Sequence, residues 1–159
     1  MLDEKVIKII NENFPKMTDK GRLAFAIAFG AHTGKGQKDY AGLEYIGHPL
    51  TVYSNCDTEE ERIAALLHDV VEDTDITLDD LSLFFEKEIV EAVGLLSHPK
   101  VYDKKAYMDG IKKNKIARKV KIEDLRTNMD RSRLESLLEW HDKRVENQYS
   151  HNLAFLLND

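Results

Sequence analysis

One cysteine in 159 residues, Cys56, excludes an intrachain disulfide and any zinc site built on several thiolates. Three prolines and eight glycines are few for a turn-rich β fold and favour helices. No apolar run approaches the roughly 20 residues that cross a bilayer. Positive charge is in deficit: 23 Lys and Arg stand against 29 Asp and Glu. The resulting net charge of −6 does not favour nucleic acid or an anionic membrane as a partner. The opening residues, Met1-Leu2-Asp3-Glu4-Lys5, lack the basic start and apolar core of a secretory signal, so a reducing cytoplasm is the expected compartment.

What is present describes a globular protein, with 42% hydrophobic and 33% charged residues. No repeat, low-complexity tract or Gly/Ser linker divides the chain, and residues 1–159 read as a single domain. The charges are segregated. Asp57 to Glu91 holds 13 acids and 2 bases, a net of −11, while Lys100 to Lys121 holds 9 bases and 2 acids, a net of +7. An acidic half beside a basic half suits a small polyanion bridged between a metal and Lys/Arg. Solvated amphipathic faces would give the same pattern.

Helical spacing recurs along the chain. Leu2, Val6, Ile9, Ile10 and Phe14 form one stripe, closed by Pro15. Thr18 is placed to cap a second helix bearing Leu23, Ala24, Ile27, Ala28 and Ala31 and ending near His32. Gly34 to Gly47 reads as a long loop, and Pro49 can open a short helix at its first position. Thr58 with Glu61 forms a capping box for a helix expected to run to about Val71. A helix starting at Thr77 turns Leu81, Phe84 and Phe85 inward, and Ile89 to Leu96 continue after a break. Helices are also expected over Lys104–Asn114 and Ala117–Thr127. Ser132 with Glu135 repeats the capping-box pattern before a face of Leu134, Leu137, Leu138, His141 and Val145. Trp140 reads as packing, and Asn152 to Leu157 as a last helix. No convincing alternating strand appears, so the expected fold class is all-α.

The chemistry concentrates in Leu66-Leu67-His68-Asp69-Val70-Val71-Glu72-Asp73-Thr74. His68 and Asp69 offer a borderline nitrogen and a hard oxygen to one divalent metal. On a continuous helix, His68 and Glu72 would share a face, as would Asp69 and Asp73. The apolar lead-in from Ile63 to Leu67 puts these charges at the edge of a core, where unpaired charge is costly. A metal would relieve the repulsion among the acids.

Three further pieces join this one: Ala31-His32, Ile46-Gly47-His48-Pro49, and Val120-Lys121-Ile122-Glu123-Asp124-Leu125-Arg126-Thr127-Asn128. In this order, over about residues 20 to 130, they resemble the HD-domain metal-dependent phosphohydrolases. The nearest branch is the hydrolase domain of the RelA/SpoT group and its small one-domain relatives. Those enzymes remove pyrophosphate from guanosine tetra- and pentaphosphate (ppGpp and pppGpp). The resemblance implies an HD-type helical bundle and metal ligands at His32, His68, Asp69 and Asp124, the metal usually being manganese. By ligand chemistry alone, zinc, iron or manganese would each fit two imidazoles and two carboxylates. It also implies a water-activating pair, Glu72 and Asp73, and pocket positions at His48 and Asn128. Lys35 and Lys38 are the bases available to the nucleotide's phosphates.

Two departures stand out. The loop after the first His, Thr33 to Gly42, holds no Arg, and Arg alone can both stack on a base and grip phosphate in two bonds. Glu44 stands where the family has Pro before Tyr. The implied activity is therefore hydrolysis of a phosphorylated nucleotide, first a guanosine polyphosphate 3′-pyrophosphohydrolase. The alternatives are a nucleotidase or other nucleotide phosphohydrolase of the same fold, and a non-catalytic nucleotide sensor, against which the intact Glu72 and Asp73 argue. The sequence leaves homo-oligomer formation open.

Overall fold

Five consecutive apolar residues cannot hide on one side of a helix, so Ile63-Ala64-Ala65-Leu66-Leu67 must be surrounded. The computed structural model, which describes residues 2–130 and 139–158, meets that requirement. The helix holding this run, α4 (Glu59–Leu67), packs against α2 (Asp19–Gly34), α3 (Gly47–Ser54), α7 (Lys87–Leu96) and α9 (Lys115–Met129). All five side chains are buried. Its neighbour α2 turns Gly21, Ala24, Ala28 and His32 inward at helical spacing, and the first three are small enough to let the two helices approach closely. The remaining elements are α1 (Glu4–Asn13), α5 (Val70–Asp73), α6 (Leu78–Ser82), α8 (Lys104–Lys113), α10 (Glu139–Arg144) and α11 (Ser150–Leu157). A 3₁₀ turn, Phe14–Lys16, follows α1, and a π turn, Val145–Tyr149, joins α10 to α11. The described residues contain no strand beyond one isolated bridge, Lys38 to Glu44, so the fold class is all-α as expected.

The expected caps form. Thr18 Oγ1 accepts from Gly21 N at 3.0 Å. Thr58 with Glu61, and Thr77 with Asp80, make reciprocal capping boxes. Each such cap contributes about 1 kcal/mol. No helix among the described residues is long and apolar enough to cross a membrane.

Four expectations need correction. The helix begun at Thr58 stops at Leu67 rather than Val71, because the Ala65 carbonyl accepts from the ring of His68 at 2.6 Å. In a continuing helix that carbonyl would serve the Asp69 N–H. The chain turns at Asp69 and resumes as α5. Helix α3 starts at Gly47, which makes Pro49 its third residue, still within the first turn where no N–H is needed. Phe84 is 53% exposed, whereas Leu81 and Phe85 are buried. The last helix begins at Ser150, two residues earlier than the apolar pattern indicated. The cap at Ser132 and Glu135, the Leu134, Leu137 and Leu138 face and the Trp140 side chain lie outside the described residues.

Candidate metal and phosphate site

Four parts of the chain meet above the end of α4. Helix α2 contributes His32, the start of α3 contributes His48, the α4–α5 turn contributes His68 and Asp69, and α9 contributes Asp124. One ligand atom each from His48, His68 and Asp124 lies within 4.8 Å of the others, and all three side chains are buried. His68 Nε2 is 2.9 Å from Asp69 Oδ2 and 3.7 Å from Asp124 Oδ1. His32 joins through Tyr45: the two rings are 4.7 Å apart, and the Tyr45 hydroxyl donates to Asp69 Oδ2.

The two imidazoles are set the same way. His68 Nδ1 donates to the Ala65 carbonyl at 2.6 Å, and His32 Nδ1 donates to Gln37 Oε1 at 2.7 Å. Each therefore presents Nε2 to the site, and both Nε2 atoms are buried without a hydrogen-bond partner. The 2.9 Å approach of His68 Nε2 to Asp69 is close but poorly directed for a hydrogen bond. Two atoms bound to one metal at about 2.1 Å and at right angles stand about 3 Å apart, so the spacing suits co-ligands. Imidazoles fixed by an outer acceptor, with the other nitrogen free, are what metal ligation requires. The residues therefore fit a divalent cation.

The carboxylates make the site draw positive charge, which a proton on His68 meets where no cation is held. Burial works against charging His68, but the carboxylates of Asp69 and Asp124 outweigh it and hold the imidazole well above its usual value. Burial would raise Asp124, but Lys121, His48 and His68 draw it well below the carboxylate range. His68 lowers Asp69 against the same burial. Desolvation lowers His32, favouring its neutral, ligating form. Burial and the Asp69 charge keep the Tyr45 hydroxyl protonated, and so a donor.

Asp124 is the most heavily tied group. Its Oδ1 accepts from His48 Nε2 at 3.0 Å and Asn128 Nδ2 at 2.8 Å, and its Oδ2 pairs with Lys121 Nζ at 2.8 Å. Lys121, Asp124 and Asn128 recur at i, i+3 and i+7 on α9 and share one face. A cavity of about 350 Å³ opens over these groups, walled by Tyr40, Glu72, Asp73, Asn128, Arg144 and Tyr149 among others.

The candidate catalytic acids sit on α5. Asp73 Oδ2 accepts from Gln37 Nε2 at 2.7 Å, so Gln37 bridges His32 and Asp73. Glu72 does not share a helix face with His68; it faces His98, whose backbone N–H donates to Oε2 at 3.2 Å. Burial raises the Glu72 carboxyl above its ordinary value, partly offset by that hydrogen bond. The two loop lysines are engaged elsewhere. Lys35 pairs with Asp75 at 3.0 Å and does not line the cavity. Lys38 lines it but pairs with Glu44 at 3.1 Å. Glu44 also accepts from Asp3 N at 3.2 Å, so the residue that departs from the family pattern ties the loop to the N-terminal segment.

The sequence reading missed Gln37, Tyr45, His98 and Arg144. Tyr45 stands next to Ile46-Gly47-His48-Pro49 and was within reach of that motif. Arg144 follows His141 by three and precedes Gln148 by four; all three line the cavity, but nothing ties that stretch to the motifs in sequence.

The fold is one already seen in a solved structure. The chain superposes on a solved structure described as a metazoan ortholog of SpoT that hydrolyses ppGpp and plays a role in starvation responses. The TM-score is 0.72 and the identity 22%, over 89% of this chain and 88% of that one. In sequence the chain is similar to the bifunctional (p)ppGpp synthase/hydrolase SpoT of Escherichia coli, 41% identical over 93 residues. It is also similar to MESH1 of Mus musculus, a guanosine-3′,5′-bis(diphosphate) 3′-pyrophosphohydrolase, 38% identical over 96 residues. These matches take in 53% and 55% of this chain. They span 13% of the SpoT chain and about half (53%) of MESH1. No family model matches the chain.

Proposed function

We propose that this protein is a metal-dependent phosphohydrolase that removes pyrophosphate from the 3′ position of a guanosine polyphosphate. The observation that carries the reading is the pair of buried imidazoles, each with its Nδ1–H spent on an acceptor and its Nε2 without a partner, beside Asp69 and Asp124. His32, His68, Asp69 and Asp124 would hold the cation, manganese by likeness to the family, and His48 supports Asp124 from behind. A divalent cation held there supplies Lewis-acid polarisation of a phosphoryl oxygen and makes water a stronger acid. Glu72, with Asp73 beside it, orients the attacking water and accepts its proton. Lys121 keeps Asp124 ionised, and Asn128 fixes that carboxylate's rotation. The Arg144 guanidinium, whose contact with the Tyr40 hydroxyl is long at 3.4 Å, is free to grip phosphate in two bonds. Lys38 would add a second positive charge once released from Glu44. Residues 1–159 act as one catalytic unit in this reading.

A second reading is a nucleotidase of the same fold. The pairing of Lys35 with Asp75 and of Lys38 with Glu44 favours it, because the loop then offers little to a polyphosphate. Incubating the purified protein with manganese and guanosine tetraphosphate, GMP and GTP separates the readings. Pyrophosphate released from the tetraphosphate alone is the expected result. Inorganic phosphate from GMP supports the second reading, and absence of turnover on every compound overturns both.

A further inference from the structure

The mechanism above leaves Glu72 half-buried, with nothing on its own helix to hold it. What holds it comes from the segment after α7. The His98 backbone N–H reaches Oε2 at 3.2 Å, and His98 Nε2 stands 3.6 Å from Oε1, a close approach rather than a hydrogen bond. The imidazole is itself fixed. Its Nδ1 lies 2.9 Å from the Pro99 carbonyl, which can only accept, so Nδ1 carries a proton. Tyr102 stacks on one face at 3.8 Å between centroids and 19° between planes. Tyr107 meets the ring edge-on at 5.0 Å and 87°, and is anchored by its hydroxyl on the Leu96 carbonyl at 2.8 Å. A ring clamped on three sides with one nitrogen turned toward a carboxylate is a built arrangement, not a surface accident.

We infer that His98 is a positioning residue for Glu72, fixing the direction of its carboxylate toward the water-attack side of the cavity. The role given to Glu72 rests on the hydrolase reading, whereas the contact itself does not. With Nδ1–H spent on the Pro99 carbonyl, Nε2 is the nitrogen left to face Oε1. Glu72 also faces the carboxylates of Asp69 and Asp73, which press it to keep its proton, and His98 opposes them. The motif comparison did not single out His98, because its partner lies 26 residues away in sequence.

Two readouts test this separately. In ring-proton NMR spectra, Glu72→Gln is expected to displace the His98 ring resonances from their wild-type positions, because the carboxylate facing Nε2 is lost. Unmoved His98 resonances overturn the inference whether or not the protein proves to be an enzyme. In turnover assays, His98→Ala retains the backbone N–H and is expected to lower kcat about tenfold, by analogy with other outer-shell partners, with KM within about twofold. Its acid limb should move to higher pH, His98→Gln should recover part of the loss, and in a Glu72→Gln background His98→Ala should have no further effect. An unchanged kcat, or an equal loss in that background, overturns the inference while leaving the hydrolase reading intact. An inactive wild type with displaced His98 resonances in Glu72→Gln removes the hydrolase reading and keeps the contact.

Discussion

Replacing Lys121 by Met tests how the Asp124 carboxylate stays ionised inside the protein. The Lys121 side chain is 20% exposed and that of Asp124 6%, at 2.8 Å. Met keeps most of the aliphatic stem and its packing, so the change removes mainly the ammonium. Leaving one member of a buried pair alone costs about 3–5 kcal/mol, and the partial exposure of Lys121 places the expected loss at the low end, about 3 kcal/mol. Loss of its contact with the Tyr107 ring, 5.9 Å from Nζ to the centroid, adds a little in the same direction. For a chain of this size that corresponds to about 6–12 °C in Tm. The assay is thermal unfolding in EDTA and again with excess manganese chloride. A cation beside Asp124 supplies the positive charge that Lys121 gave, so manganese should restore much of the loss. The double variant with Asp124→Asn should lose less than the sum of the two single changes. A fall under about 1 kcal/mol in EDTA, or strictly additive variants, would refute the idea that Lys121 and Asp124 act as a pair.

Other expectations follow from the same geometry. Glu72→Gln should cut kcat at least about a hundredfold, as removal of a general base does, with little change in KM. The wild-type rate should rise with pH through a value above the ordinary 4.5 of a glutamate, because burial raises the carboxyl that must lose its proton to act, and that limb should vanish in the variant. Glu44→Gln, which frees Lys38, should lower KM for a polyphosphate substrate and leave that for a monophosphate unchanged; equal effects on both would count against a phosphate role for Lys38. Burial, with the Glu61 charge nearby, pushes the Cys56 thiol up from 9.0 to about 12. Iodoacetamide at pH 9 should therefore label native protein on the order of a thousandfold more slowly than urea-unfolded protein. The same shift contributes stability that is complete below pH 9 and is lost as pH rises toward about 12, so unfolding should become easier in that alkaline window.

The starts of α2, α4 and α6 were legible because capping chemistry is local. Thr18, Thr58 and Thr77 each reach a backbone N–H only three residues on. The break at His68 was not, because it depends on a ring nitrogen competing for the Ala65 carbonyl, and an apolar run reads equally well as helix continuing. The exposure of Phe84 was missed for a related reason: α6 ends at Ser82, so the helical spacing that turned Phe84 inward does not reach it. In the site, the motifs located His32, His68, Asp69 and Asp124 in sequence, and the structure brings the parts that carry them together. The side chains that orient them, Gln37 on His32 and Tyr45 on Asp69, carry no motif of their own. The fates of Lys35 and Lys38 were also out of reach, since composition counts their charge but cannot say that Asp75 and Glu44 absorb it.

The π turn at Val145–Tyr149 amounts to one residue more than a regular helix would hold, marked by the Ser150 N–H bonding back to the Val145 carbonyl. Deleting a single residue there would let α10 and α11 merge into one straight rod without turning either flank out of phase. In the molecule so edited Gln148 and Tyr149 would swing off the cavity wall, and the bond from Tyr149 to the Tyr40 hydroxyl would be lost. The irregular turn thus gives up helical regularity to set two side chains into the pocket wall.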